Sequence, residues 1–122
     1  MHLDKWQGLH SFWSGFEIPA YDEASVPDNA TMPYITYTAA VDSLDSAVAL
    51  SANLWYRSTS WEEISKKADE IYQTVQNGGV RVPLDIGYLW VVSGSPFAQR
   101  VTEEVDTVKH IYIALVGEFQ TL

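Results

Sequence analysis

The sequence predicts an α+β fold of two layers, a mainly antiparallel sheet with two helices on one face, in the order α-β-β-α-β-β-β. Three observations predict it. Residues 60–79 read as one amphipathic helix with capping signals at both ends. Residues 34–41, 47–57 and 107–120 place apolar side chains at alternate positions, the two-residue period of a strand with one buried face. Turn formers join consecutive strands closely enough for hairpins, and helices with one dry face need a sheet to cover them. The 122 residues suffice for one core and are short for two, so 1–122 reads as a single domain.

A first helix follows from Leu3, Trp6, Leu9, Phe12, Trp13 and Phe16, which recur at helical spacing over about four turns. Gly8 and Gly15 weaken it, the second marking its end. The aromatic stripe reads as a core face, because no polar residues at helical spacing converge on it. His10 has no second metal ligand three or four residues away. Residues 17–33 hold three of the five prolines and four acidic residues, which makes them an extended connection across the surface. That length exceeds the ~4–6 residues usual for a connection and points to a functional or partner-ordered segment. Tyr21, Val26 and Met32 are too apolar for a free tip. They are expected to dock on the fold or on another subunit.

In 34–41, Ile35, Tyr37, Ala39 and Val41 share one side; after a turn at 42–46, Val48, Leu50, Ala52 and Leu54 face the helices. The two strands read as a hairpin. In 60–79, Trp61, Ile64, Ala68, Ile71, Tyr72 and Val75 stack into a single stripe. Ser60 with Glu63 reads as a capping box, and Asn77-Gly78-Gly79 ends the helix through left-handed conformations. Lys66 and Lys67 fall on the wetter side, spaced to pair with Glu62 and Glu63. Val80, Val82 and Leu84 form a short strand, placed at an edge because Pro83 has no amide hydrogen. After a turn at 85–87, residues 88–93 read as a buried strand and 94–106 as a second long connection, carrying Phe97. In the closing strand 107–120, Ile111, Ile113, Leu115 and Phe119 share a face. Leu54, Trp61, Ile64, Ile71, Trp90, Ile111 and Ile113 are expected to meet in the core.

Sixteen acidic against seven basic residues give a formal charge of −9. This argues against nucleic-acid binding as the main activity, since affinity for phosphates comes from clustered Lys and Arg. Such a surface is solvated and self-repelling, and it would let a polyanion pass without sticking. The absence of cysteine excludes disulfides, thiolate zinc sites and cysteine nucleophiles. No apolar run reaches the ~18 residues of a membrane span, and the first residues lack the zones of a signal peptide, so a cytoplasmic site of synthesis is expected.

Signals for chemistry are sparse. The histidines at 2, 10 and 110 lack helical pairing, and Asp42 with Asp45 reads as a turn before it reads as a cation site. There is no GxGxxG, phosphate-binding glycine loop, GxSxG or HExxH. Glu103 and Glu104 are adjacent in a polar segment, where nothing separates their acidities. No catalytic residue, cofactor-binding residue or metal ligand is assigned, and no enzyme activity is expected.

The runs 55–64 (WYRSTSWEEI), 87–90 (GYLW), 96–100 (PFAQR), 111–113 (IYI) and 118–119 (EF) carry a resemblance. Across Leu3 to Phe119 the chain resembles the tail-terminator, or tail-completion, proteins of long-tailed phages and prophages. The resemblance implies an α+β subunit that assembles into a ring, commonly a hexamer, capping the tail tube and joining it to the head. Its implied partners are copies of itself, the tail-tube protein and a head-connector protein. DNA would pass through the lumen without specific binding, no membrane or cofactor is involved, and the location is the virion's head–tail junction after assembly in the bacterial cytoplasm. Tyr21, Val26, Met32 and Phe97 are the candidate subunit interface. The net charge implies that isolated subunits repel at low salt and that screening favours assembly. A head-side connector or minor capsid protein is the alternative within this class, and a small ligand-binding domain or enzyme the alternative outside it.

Overall fold

The computed structural model describes residues 5–40, 47–84 and 87–121. In chain order these form α1 (Lys5–Ser14), β1 (Ala20–Asp22), a 3-10 turn (Glu23–Ser25), β2 (Tyr34–Ala40), β3 (Ala47–Arg57), α2 (Glu62–Val75), β4 (Val80–Leu84), β5 (Gly87–Val101) and β6 (Val108–Thr121). The strands join in the order β1-β2-β3-β6-β5-β4. Only β1 with β2 is parallel; the other neighbours are antiparallel. The expected α+β class and hairpins are present, and β4 is an edge strand as Pro83 requires. Leu3, Val41, the turn at 42–46 with Asp42 and Asp45, and the turn residues Asp85 and Ile86 lie outside the described residues.

Two features depart from the expected order. β1 is an additional strand of three residues, too short to show alternation, and it makes the sheet mixed. Residues 94–101, expected as connection, continue β5 instead. The register passes from Ser93↔Leu115 to Ala98↔Ile113, so Gly94, Ser95, Pro96 and Phe97 stand opposite Ala114 alone. This bulge accommodates the proline without ending the strand.

α2 packs on β3, β5 and β6, whereas α1 packs on β1 and β4, the two ends of the strand order. One helix meets both ends only when the sheet curls round it, so the strands form a half-barrel with the helices on its inner side. Gly8 lets α1 approach β4, since a Cβ there would run into Leu84. The inner face is dry by strand alternation: Leu50 pairs with Leu115, Ala52 with Ile113 and Leu54 with Ile111, and all six are buried. Leu89 and Val91 extend it, while Leu9, Trp13 and Phe16 of the α1 segment and Ile64, Ala68, Ile71 and Val75 of α2 close it.

Trp90 is not in this core. It lies between Leu89 and Val91 on the strand and therefore points outward, 41% exposed. Its indole Nε1 donates to the Gly78 carbonyl at 2.6 Å and so pins the turn that ends α2. There Asn77, Gly78 and Gly79 all have positive φ, as expected from the sequence. A Cβ on Gly79 would approach the Val91 carbonyl to 2.6 Å, so this position needs glycine on both counts. Trp61 is only partly buried, packed against the core from its edge.

The start of α2 also differs. Trp61 is the N-cap, with helical dihedrals and no side-chain cap bond. Ser60 Oγ accepts from the Glu62 amide at 3.1 Å, and the Ser60 amide donates to Ser58 Oγ at 3.0 Å. Ser58 thus takes the place expected of Glu63. Lys66 makes its exposed pair with Glu62, but Lys67 turns inward. Its Nζ donates to the Phe16 carbonyl at 2.6 Å and meets Glu70 at 3.1 Å, tying the chain beyond α1 to α2.

Candidate subunit interface

Tyr21, Val26, Met32 and Phe97 are all half-buried, and the fold divides them. Tyr21 lies on β1, where its ring meets Tyr34 edge-on at 5.8 Å, and Val26 and Met32 follow in the segment between β1 and β2. Phe97 lies on β5, with β2, β3 and β6 intervening in the strand order. Its ring meets Tyr72 of α2 edge-on at 5.1 Å and packs on the core. Phe97 therefore packs within its own fold, and the strand order separates it from Tyr21.

Both strands have an open edge. β1 pairs with β2 on one side and with no described strand on the other. β4 covers β5 only from Gly87 to Val91, so beyond Val91 the outer side of β5 has no strand partner among the described residues. Ser95, Pro96, Ala98, Gln99 and Arg100 are exposed along this second edge.

The edges differ in charge. Residues 17–33 carry Glu17, Asp22, Glu23 and Asp28, all exposed, and no lysine or arginine. Within β5 the sole charged side chain is Arg100. Its guanidinium lies 4.7 Å over the Trp61 ring, which Lys109 also approaches, at 5.4 Å. Pro96 removes one donor and Arg100 adds a charge, and both restrict which strands this edge can accept.

The outer face of the sheet carries a polar cluster that sequence reasoning missed. The register sets Trp55 of β3 opposite His110 of β6, and the buried imidazole stacks on the indole. His110 Nδ1 lies 2.7 Å from Glu103 Oε1 and Nε2 lies 2.5 Å from Asn53 Oδ1. Trp55 Nε1 donates to Thr36 Oγ1 at 3.1 Å. The signal was there in the strand parity, because Asn53, Trp55 and His110 all occupy outward positions; the register that unites them was not. A histidine beside a carboxylate suggests a general base, but both nitrogens of His110 are already engaged. The cluster fastens residues 102–107 to the sheet.

Two tyrosines have acidities altered by the fold. Burial raises the Tyr56 pKa, aided by Glu63 and then Glu70. Burial likewise raises that of Tyr37, aided by Asp22, and the Tyr37 hydroxyl is 2.9 Å from His10 Nδ1. Neither tyrosine lines either of two open grooves. The groove lined by Phe12, Phe16, Glu70, Thr74 and Val82 holds about 310 Å³, and an outer recess under Trp90, Val92 and Val116 about 230 Å³. Both are open to solvent. Among the described residues no group of three His, Asp or Glu could hold a metal ion, and no helix is long and apolar enough to cross a membrane.

Comparison with protein-family models, with curated proteins and with solved structures returns no match.

Proposed function

We propose that this chain is a structural subunit of the tail-terminator type, which closes into a ring on the end of a phage tail tube and joins it to the head. The observation that carries this reading is the separation of two open strand edges that differ in charge. A ring needs such an arrangement, because cyclic closure joins one patch of each subunit to a different patch of the next. The excess of acidic side chains suits a lumen through which DNA slides, since fixed negative charge gives phosphates nothing to hold.

The test is assembly with the implied partner. Purified subunits are mixed with tail tubes lacking their terminal protein and followed by native mass spectrometry and negative-stain imaging across protein and salt concentration. Rings, free or seated on tube ends, are expected. A monomer under every condition, tubes included, would overturn the reading. Capture by portal-bearing heads with none by tubes would move the chain to the head side of the junction.

A further inference from the structure

We infer that neighbouring subunits join edge to edge, with the open run of β5 around Arg100 in one copy set against the acidic β1 edge of a second copy, so that the sheet continues from subunit to subunit. The inference rests on the ring reading above and names the surfaces that would close the ring. It starts from open strand edges. Beyond Val91 the outer side of β5 has no strand partner among the described residues, and β1 has none on the side away from β2, where Asp22 also caps the 3-10 turn that follows and accepts from the Ala24 amide. Two strand edges satisfy one another by the same ladder that builds the sheet.

Charge selects which edges meet. Pairing β5 with β5 of another copy would bring like edges together, each carrying Arg100 and no acid. Pairing β1 with β1 would bring Asp22 and the adjoining Glu23 of one copy towards the same acids of another. The mixed pair alone sets Arg100 against Asp22, Glu23 and Asp28, and complementary charge both steers the encounter and rejects the wrong partner. Because β1 is only three residues long, side chains must supply the remaining contact. Tyr21 lies on β1 and Phe97 on β5. Phe97 itself is a poor test residue, since its contact with Tyr72 ties it to the fold.

The experiment therefore uses exposed charges. Arg100→Glu is one variant and Glu23→Arg with Asp28→Arg the other; the latter takes residues 17–33 from four negative charges to none in net. Thermal melts establish that both fold. Native mass spectrometry and sedimentation then read ring formation in wild type, in each variant, in the chain carrying all three changes, and in a 1:1 mixture of the two variants. Each variant alone should lower the association constant about tenfold or more, as expected for charge reversal at a rim. The combined chain and the mixture should regain rings, because in both the side chain at position 100 can face side chains of opposite sign at 23 and 28 at every junction.

Rings indifferent to either variant, loss on Arg100→Glu alone, or loss in both without recovery would overturn the edge pairing and leave the ring reading standing. A wild-type chain that stays monomeric even with tail tubes would overturn both.

Discussion

The imidazole of His110 lies flat on the indole of Trp55, with ring centroids 3.9 Å apart and planes 19° from parallel. The stack is enclosed by Asn53 and Glu103, which engage the two ring nitrogens. His110→Ala would strip the stack and leave Asn53 without its partner. A loss of ~2–4 kcal/mol is expected, summing a ring pair and a buried hydrogen bond. His110→Gln should cost less, because it keeps one polar contact. Urea denaturation measures both, and equal losses would mean that the hydrogen bonds contribute nothing beyond the ring.

Ile71 is fully buried under the sheet, so Ile71→Ala should destabilise by ~2–5 kcal/mol, and Ile64→Ala by a similar amount. Losses below ~1 kcal/mol at both sites would contradict the docking of α2 on the sheet.

Two neighbouring lysines should behave differently. Lys66→Ala removes an exposed pair with Glu62 and should change stability by ~0–1 kcal/mol at most. Lys67→Met removes a partly buried charge-assisted bond to the Phe16 carbonyl and should cost ~1–3 kcal/mol. The ordering of the two, read from the same denaturation curves, is the check.

Stability should fall in alkali. Tyr56 and Tyr37 have folded-state pKa values raised above the ordinary value of 10.0, so the fold favours their neutral forms. Their contribution is fully present below pH ~10, where both states are protonated, and is lost as the pH rises from there through the folded-state values. Each adds a slope of up to about 1.4 kcal/mol per pH unit within that window. Tyr56→Phe should flatten the decline above pH ~10 and leave stability near neutrality changed only slightly. An unchanged alkaline slope would remove Tyr56 as its source.

Duplex DNA should not bind the isolated protein measurably near physiological salt. Seven basic residues against sixteen acidic ones leave too few cations to displace counterions, and Arg100, Lys109, Lys66 and Lys67 already have partners in the fold. Salt-dependent binding in a gel-shift assay would contradict the charge argument.

Much of the architecture was legible because periodicity survives in single sequences. Ile64, Ala68, Ile71 and Val75 of the expected helical stripe and the alternation of Val48 to Leu54 follow from local spacing and are buried, whereas Tyr72 of the same stripe is exposed and Trp61 only partly buried. What local spacing hides is register. Trp90 looks like a core residue by composition, yet its parity on β5 sends it outward to the Gly78 carbonyl. Residues 94–101 look like a loop because Gly94 and Pro96 break the pattern, while pairing with β6 keeps them in the sheet. The cluster on His110 needs β3, β6 and Glu103 together, a meeting set by tertiary pairing. The separation of Tyr21 on β1 from Phe97 on β5 was not legible either, because it depends on β2, β3 and β6 coming between those strands in the sheet.

β6 comes last among the described elements and yet pairs on both sides, with β3 along Ala47–Arg57 and with β5 along most of its length. During synthesis, β1 to β3 and the β4–β5 hairpin leave the ribosome as two half-sheets with nothing between them. Neither can bury its central edge until the final strand arrives, so the nascent chain waits with apolar residues such as Leu54 and Leu89 unsheltered. Such late, long-range closure slows folding and gives chaperones a defined window of engagement. A chain halted before β6 would have no finished sheet, so on the proposed edge pairing it would offer a second copy nothing to join.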